Sequence, residues 1–501
     1  MHDASFGPAL DRVTAFERER FVALRGLPTV APESALDRAL LSLPASLPSE
    51  GLGLERTTDT CLNAIAPATA AHSPTYFGFV TGGVLPAAQV ADHVVTAIDA
   101  NVQVNLAREE ITTHVDNLAL GLVLDLLRLP RERFEGQTFT TGATGSNVLG
   151  LAVGREWAIK QRRGEDWSVA ADGFGGVEVD VFTAGGHASL SKAAALVGIG
   201  RRRVVELKPA DDLTGCVFDL DALDAALAES EKAGRGAIVV PSFGEVNTGA
   251  FTPRIDRVRD LCDRFGAWMH IDAAFGGFSL LHEDFAHLSD SLALADSICL
   301  DGHKALNVPY DCGLFFTRRT TDLTAVFGPG GAMPAYLAAG SATGADDLPA
   351  ELATARHASA SAASPLHLHA ENSARWRGLP VYAALISTGR DGYREIIGRQ
   401  IAFARHVAQW TRSSAHWDLL LAPDQPISTI VLFAPSEGRD ANEAIARLKR
   451  AGRIYVGPTT WRGRAAIRLA VSNWATSIAD DAAVTIAELE RVGAELARAS
   501  A

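Results

Sequence analysis

The chain has 501 residues, 47% of them hydrophobic and 21% charged, with a formal net charge of −13 and a pI near 5.6. That is enough apolar material for a large buried core in two or three domains, and the acidic balance excludes the basic footprint of a nucleic-acid binder. The first residues carry acids and no apolar run, so no secretory leader is expected. The apolar stretch at 118–127 is too short to span a bilayer and contains Asp125. Five scattered cysteines (61, 216, 262, 299 and 312) have no metal-like spacing and fit reduced thiols in a cytoplasm.

In chain order, residues 1–75 are helical pieces broken by prolines and are expected to form an arm. Residues 76–370 alternate short β-type runs with amphipathic helices. The strand candidates are TFTTG (138–142), VEVDVFTA (177–184), GAIVVPSF (236–243), AWMHIDAA (267–274), DSICLDG (296–302) and CGLFFTR (312–318). Between two of them, Ile255, Val258, Leu261, Cys262 and Phe265 recur at helical spacing, and Gly266 ends the pattern. Such alternation predicts an α/β fold, a mainly parallel sheet covered on both faces. The Gly-, Ala- and Ser-rich stretch 328–365 reads either as a loop over a site or as a surface excursion. Residues 371–501 are expected to form a small α+β domain from STIVLFA (428–434), a helix at NEAIARLKRAG, AAIRLAVS (465–472) and a last helix from about 479.

Four short segments carry chemistry, and each follows a predicted strand. In FTTGATGSNVLGL, Gly142, Thr144, Gly145 and Ser146 stand where a helix begins, a place that offers N–H groups and hydroxyls to an anion. In GGHASLSKAAAL, His187 stands at a strand exit, where an imidazole can stack on a planar ring. In AWMHIDAAFGG, Asp272 ends a strand beside the small Ala273 and Ala274. A carboxylate there needs a partner, and a protonated pyridine-type nitrogen fits: at about 4 Å the pair gains roughly 4 kcal/mol at intermediate dielectric. In DSICLDGHK, Lys304 follows a strand end, where desolvation turns an amine into a nucleophile. Singly, each has an ordinary structural reading: a capped turn, a packing histidine, a helix-capping acid, a solvated lysine. A parallel sheet would gather all four along its carboxyl edge.

Together, WMHIDAAFGG and DGHKALNVP resemble the pyridoxal 5′-phosphate (PLP)-dependent group II amino acid decarboxylases, the glutamate, aromatic-amino-acid and histidine decarboxylase group. The resemblance runs from about HSPTYFGFVTGG (72–83) to IRLAVSNWA (467–475). It implies the type I fold of PLP-dependent transferases, with a large mainly parallel sheet domain, a small C-terminal α+β domain and an N-terminal helical arm that forms a homodimer. It implies PLP on Lys304, with His303 beside the phosphate, Asp272 on the pyridine nitrogen, Ala274 against the ring and His187 stacked on it as a second catalytic group. Thr144, Gly145 and Ser146 fall where the family holds the phosphate. Arg468 matches an arginine that some members aim at the substrate carboxylate, and Phe79 lies in a segment lining the substrate pocket. The implied reaction is loss of carbon dioxide from an L-amino acid to give the amine, with neither metal, membrane nor nucleic acid involved.

Several positions depart from the family pattern. Asp301 stands where aromatic-acid members often carry Asn, and Glu245 where relatives more often have Thr, close to the cofactor. Val80 and Thr81 replace bulkier pocket residues. Many relatives reprotonate the carbanion with a loop tyrosine. Here Tyr336 comes early and none follows before Trp376, which leaves His357, His367 and His369 as candidate donors. Relatives without that tyrosine can yield an aldehyde by oxidative deamination. A catalytically silent PLP-binding dimer is the third reading.

Overall fold

The computed structural model describes residues 5–330 and 349–500. Among these, twelve strands form: β1 (Tyr76–Phe77), β2 (Gly136–Thr140), β3 (Val179–Ala184), β4 (Val204–Glu206), β5 (Gly236–Pro241), β6 (Trp268–Asp272), β7 (Ser297–Asp301), β8 (Gly313–Thr317), β9 (Trp417–Leu419), β10 (Ile430–Pro435), β11 (Tyr455–Trp461) and β12 (Arg464–Ala470). The chain divides into two compact units, one of residues 82–398 and 421–428, the other of residues 1–81, 399–420 and 429–501.

The larger unit holds a seven-stranded sheet in the order β2-β8-β7-β6-β5-β3-β4. Its central pairs are parallel, while β8 runs antiparallel to both β7 and β2. β3, β5, β7 and β8 are buried along their whole length. That burial explains why these strands read as near-continuous apolar runs and not as alternating ones. Because β2, β3, β5, β6 and β7 share a direction, their carboxyl ends, Thr140, Ala184, Pro241, Asp272 and Asp301, fall on one edge of the sheet.

The helix Ala143–Arg163 packs across this sheet, and its glycines set how near it comes. A Cβ on Gly150 would lie 2.5 Å from His270 Cε1, and one on Gly154 would lie 2.8 Å from Trp268 Cδ1. Both partners are β6 residues on one face of the strand. The predicted helix at Ile255–Phe265 forms with Ile255, Val258 and Cys262 buried, and Gly266 ends it in the left-handed region at φ 63°. Its buried face also includes Arg259, whose guanidinium lies 2.8 Å from Asp296 at the start of β7. Within the stretch 328–365, Ala350–Ser361 is helical; Tyr336 lies outside the described residues.

The smaller unit holds a five-stranded sheet in the order β1-β11-β12-β10-β9, antiparallel except for β1 on β11. The N-terminal helices Phe6–Val22, Glu33–Ser42 and Gly53–Asp59 belong to it, with the final helix Ile478–Ser500. Among the described residues no helix is long and apolar enough to cross a membrane.

In the larger unit one buried acid is tuned by its packing. Trp376 Nε1 donates to Asp116 Oδ1 at 2.9 Å, pinning the segment before the helix that starts at Gly378 onto the helix Thr112–Leu126. Burial pushes the Asp116 carboxyl up to about 8, against the hydrogen bond from Trp376 and the charge of Arg377. The folded chain thus keeps a proton that the unfolded chain releases near pH 4. Stability falls as pH rises from about 4 to about 8 and levels off above. Asp116→Asn, which keeps the acceptor for Trp376, is expected to raise the melting temperature by an amount that grows across that window. Thermal melts of both proteins from acid to mildly alkaline pH check this.

Candidate active site

The edge where the parallel strands end collects most of the residues singled out in the sequence. Strand β2 stops at Thr140, two residues earlier than its apolar run suggests, because Thr140 Oγ1 turns to bond the Gly142 carbonyl at 3.0 Å and the Ser146 hydroxyl at 2.7 Å. Gly142 takes φ 143°, which a side chain would resist, and a Cβ there would lie 3.1 Å from His303 Cε1. The helix beginning at Ala143 therefore starts against the turn that carries Lys304. Thr144 is exposed and Gly145 half-buried in its first turn, where N–H groups lack helical acceptors. Ser146 faces the other way: its hydroxyl is buried and also donates to the Leu314 carbonyl at 3.1 Å.

Asp301, at the end of β7, ties the turn together. One carboxylate oxygen accepts from the Ala143 N–H at 2.6 Å, and the other lies 2.8 Å from Lys304 Nζ. The ring of His303 stacks on Tyr310 with centroids 4.3 Å apart. Its Nδ1 accepts from the Cys312 N–H at 3.2 Å, so the neutral ring carries its proton on Nε2, 3.5 Å from Asp301. Burial lowers the His303 pKa, partly offset by the charge of Asp301.

Asp272 is half-buried at the end of β6. Its Oδ1 accepts from the Ala274 N–H and the Cys299 thiol, both at 3.2 Å, and its Oδ2 accepts from Asn147 Nδ2 at 3.0 Å. A carboxylate offers about four acceptor positions, so one more donor can be taken. Burial pushes this carboxyl up, but the Asn147 hydrogen bond, the charge of Lys304 and the Cys299 thiol together outweigh it and hold it below the usual range. Ala143, Ala274 and Cys299 pack beside it as a small apolar cluster.

His187 caps the helix Ala188–Leu196 and is exposed at the exit of β3. Its Nδ1 accepts from the Ser189 N–H at 3.2 Å and meets the Ser189 hydroxyl at 2.8 Å. A backbone N–H can only donate, so the neutral imidazole keeps its proton on Nε2. Glu245, the acid that stands where relatives more often have Thr, is held by its own loop. Both its oxygens are used inside its own loop, by Asn247 and by the N–H and hydroxyl of Thr248 at 2.7 to 3.0 Å. Burial still leaves its pKa raised.

Phe79 and Arg468 come together in the smaller unit, where the Arg468 guanidinium donates to the Phe79 carbonyl. Phe79 is exposed and sits at φ 53°, while Val80, Thr81 and Arg468 are buried. His357 is exposed on its helix; His369 is buried with its Nδ1 3.1 Å from Glu371. The His367 Nδ1 is buried without a hydrogen-bond partner, and burial lowers that ring's pKa.

Asn147, Cys299 and His270 are the residues that sequence reasoning missed. Asn147 stands just before the apolar run VLGLAV (148–153) with a fully buried amide, and a buried amide must be paired. His270 precedes Asp272 by two along a strand and therefore shares its face. Both signals were present in the sequence.

The edge fits pyridoxal phosphate on structural grounds: a carboxylate kept ionised with one acceptor position left, an amine beside it, a small apolar cluster, and a glycine turn that a Cβ would crowd. The family model described as the pyridoxal-dependent decarboxylase conserved domain matches residues 37–434. The L-2,4-diaminobutyrate decarboxylase of Acinetobacter baumannii is 33% identical over 207 residues, which are 39% of this chain and 40% of that enzyme's length. The structure of Oryza sativa TDC with PLP and tryptamine superposes with a TM-score of 0.82 at 21% identity, covering 99% of each chain. Rhodiola rosea 4-hydroxyphenylacetaldehyde synthase superposes at 0.80 with 18% identity, covering 100% of this chain and 99% of that one. These two likenesses show the shared fold, the α/β architecture with a large mostly parallel sheet and a smaller mixed one. The match across residues 37–434 shows the family: this chain belongs to the pyridoxal-dependent decarboxylases.

Proposed function

We propose that the protein removes the carboxylate of an L-amino acid as carbon dioxide and releases the corresponding amine. The observation that carries this reading lies at the ends of β6 and β7: a half-buried Asp272 held ionised, and Lys304, 2.8 Å from Asp301, close enough for its charge to act on Asp272 as well. Lys304 would hold PLP covalently through its amine, Asp272 would keep the ring nitrogen protonated, and Thr144, Gly145 and His303 would border the phosphate. When bound, the cofactor supplies the sink for the electron pair left by the departing carbon dioxide. His187 presents an N–H donor on Nε2 at the exposed exit of β3 and is proposed to support protonation of the α-carbon by orienting the proton source through that hydrogen bond. Asp301 takes the Lys304 ammonium whenever that amine is released. Arg468 and Phe79 are proposed to meet the substrate, the former at its carboxylate.

A second reading is release of an aldehyde through reaction with oxygen. It is favoured by the lack of any tyrosine between Tyr336 and Trp376 and by the likeness to an enzyme named for aldehyde synthesis. A homodimer is supported by large apolar side chains exposed in the N-terminal segment, with Val22 86%, Leu41 89% and Leu47 96% accessible. Five cysteines outside any disulfide support a reducing compartment such as the cytoplasm.

Lys304→Ala is expected to abolish both the visible absorbance of the PLP-loaded protein and carbon dioxide release. Full activity in that variant would overturn the assignment. A panel of L-amino acids with added PLP, read by carbon dioxide, amine, oxygen uptake and peroxide, separates the two outcomes. Amine without oxygen uptake supports decarboxylation; aldehyde with peroxide supports the second reading.

A further inference from the structure

The donors around Asp272 continue into the core as a chain whose every direction is fixed. Trp268 Nε1 can only donate, and it donates to Ser297 Oγ at 2.9 Å. His270 sits between Ser297 and Asn147, its Nδ1 2.8 Å from Ser297 Oγ and its Nε2 2.9 Å from Asn147 Oδ1. The Asn147 amide nitrogen must face the Asp272 carboxylate, which only accepts, so its oxygen faces His270. His270 therefore donates from Nε2 and accepts at Nδ1 from the Ser297 hydroxyl. Its complete burial disfavours the charged form, with the pKa lowered to about 4, so a single neutral tautomer fits.

The same Asn147 nitrogen also reaches Ser189 Oγ at 3.2 Å. That oxygen accepts from Asn147, so its hydrogen is directed to His187 Nδ1 at 2.8 Å. One amide thus serves both the acid at the end of β6 and the histidine at the exit of β3. Its place is tightly set, because Gly150, one turn further on, leaves just enough space for the His270 ring.

We propose that Asn147 is a positioning residue that couples the Asp272 carboxylate to the hydrogen bonding of the His187 ring through the Ser189 hydroxyl, its own orientation being set by His270. The proposal rests on the PLP reading and deepens it: the ring-nitrogen acid and the stacking histidine are held by one shared group. Removing the amide takes a donor from a half-buried charge and also removes what steers the Ser189 hydroxyl.

The test uses the full chain with 15N-labelled histidine, first without and then with PLP. In the unmodified protein near neutral pH, His187 and His270 are expected as Nε2–H tautomers, assigned by loss of signal in His187→Gln and His270→Gln. Asn147→Ala is expected to disturb the His187 signal, weaken PLP binding roughly ten- to a hundredfold by equilibrium dialysis, and shift the visible band of bound PLP. His270→Phe should do the same to PLP binding. His270→Gln, which can still donate to Asn147, should recover most of the affinity, a rescue that a merely space-filling role would not give. This pair also decides the matter should Asn147→Ala fail to fold. Wild-type PLP affinity in Asn147→Ala or His270→Phe, or His270 found as the Nδ1–H form, overturns the proposal. A wild-type protein that takes up no PLP overturns the underlying reading, and the tautomer signals then decide the network by themselves.

Discussion

A carboxylate half-buried at a strand end keeps its charge only where donors replace the water it has lost. Asp272 meets that condition with a backbone N–H, a thiol, an amide and a nearby ammonium, contributed by β6, β7, the helix Ala143–Arg163 and the turn after β7. The amide can reach it only if that helix lies close against β6. Closeness in turn requires Gly150 and Gly154, which occupy the helix face turned to His270 and Trp268. The spacing 147, 150, 154 is one helical stripe, so the amide and the two glycines form a single device for bringing a donor to that acid.

The second acid of the edge answers a different constraint. Asp301 accepts from the first N–H of the helix at Ala143 and from the Lys304 ammonium, and so joins a helix start to a turn that is itself held by hydrogen bonds to Cys312. A negative group at a helix N-terminus is favourable in itself. It also occupies an N–H that an anion at this helix start would otherwise use. The departure from Asn at this position therefore has a structural role as well as an electrostatic one.

Much of this was legible in the sequence. Strands buried on both faces read as continuous apolar runs, so β3, β5, β6, β7 and β8 were each anticipated to within one or two residues. Polar residues just past their ends could be read as an edge site because topology, not contact, puts them there. The short strands β1, β4 and β9 and the partly exposed β11 carried no comparable run. Side-chain direction was the other missing quantity. Ser146 looked equivalent to Thr144, yet it lies on the inner side of the helix and bonds the sheet. Glu245 looked available, yet the turn that follows it offers donors to both oxygens within three residues. Asn147 stands at the junction of the polar turn 142–146 with the apolar run 148–153, where an amide reads as one more surface residue of the first helical turn.

The same directional reasoning bears on how the reaction would end. Of the histidines considered as proton donors, His369 is engaged by Glu371 and His357 lies exposed on its helix, while burial lowers the pKa of His367. His187 is the one whose neutral tautomer is dictated by a backbone donor, and that tautomer presents a proton and no lone pair on Nε2. A group so arranged is a hydrogen-bond donor at Nε2 and offers no lone pair there to act as a base. On the proposed reading, the choice between amine and aldehyde would be a competition at one carbon, between protonation from a source held by that Nε2–H and oxygen that must diffuse in. Anything that releases the His187 tautomer, the Ser189 hydroxyl or the Asn147 amide behind it would tilt that competition toward oxygen.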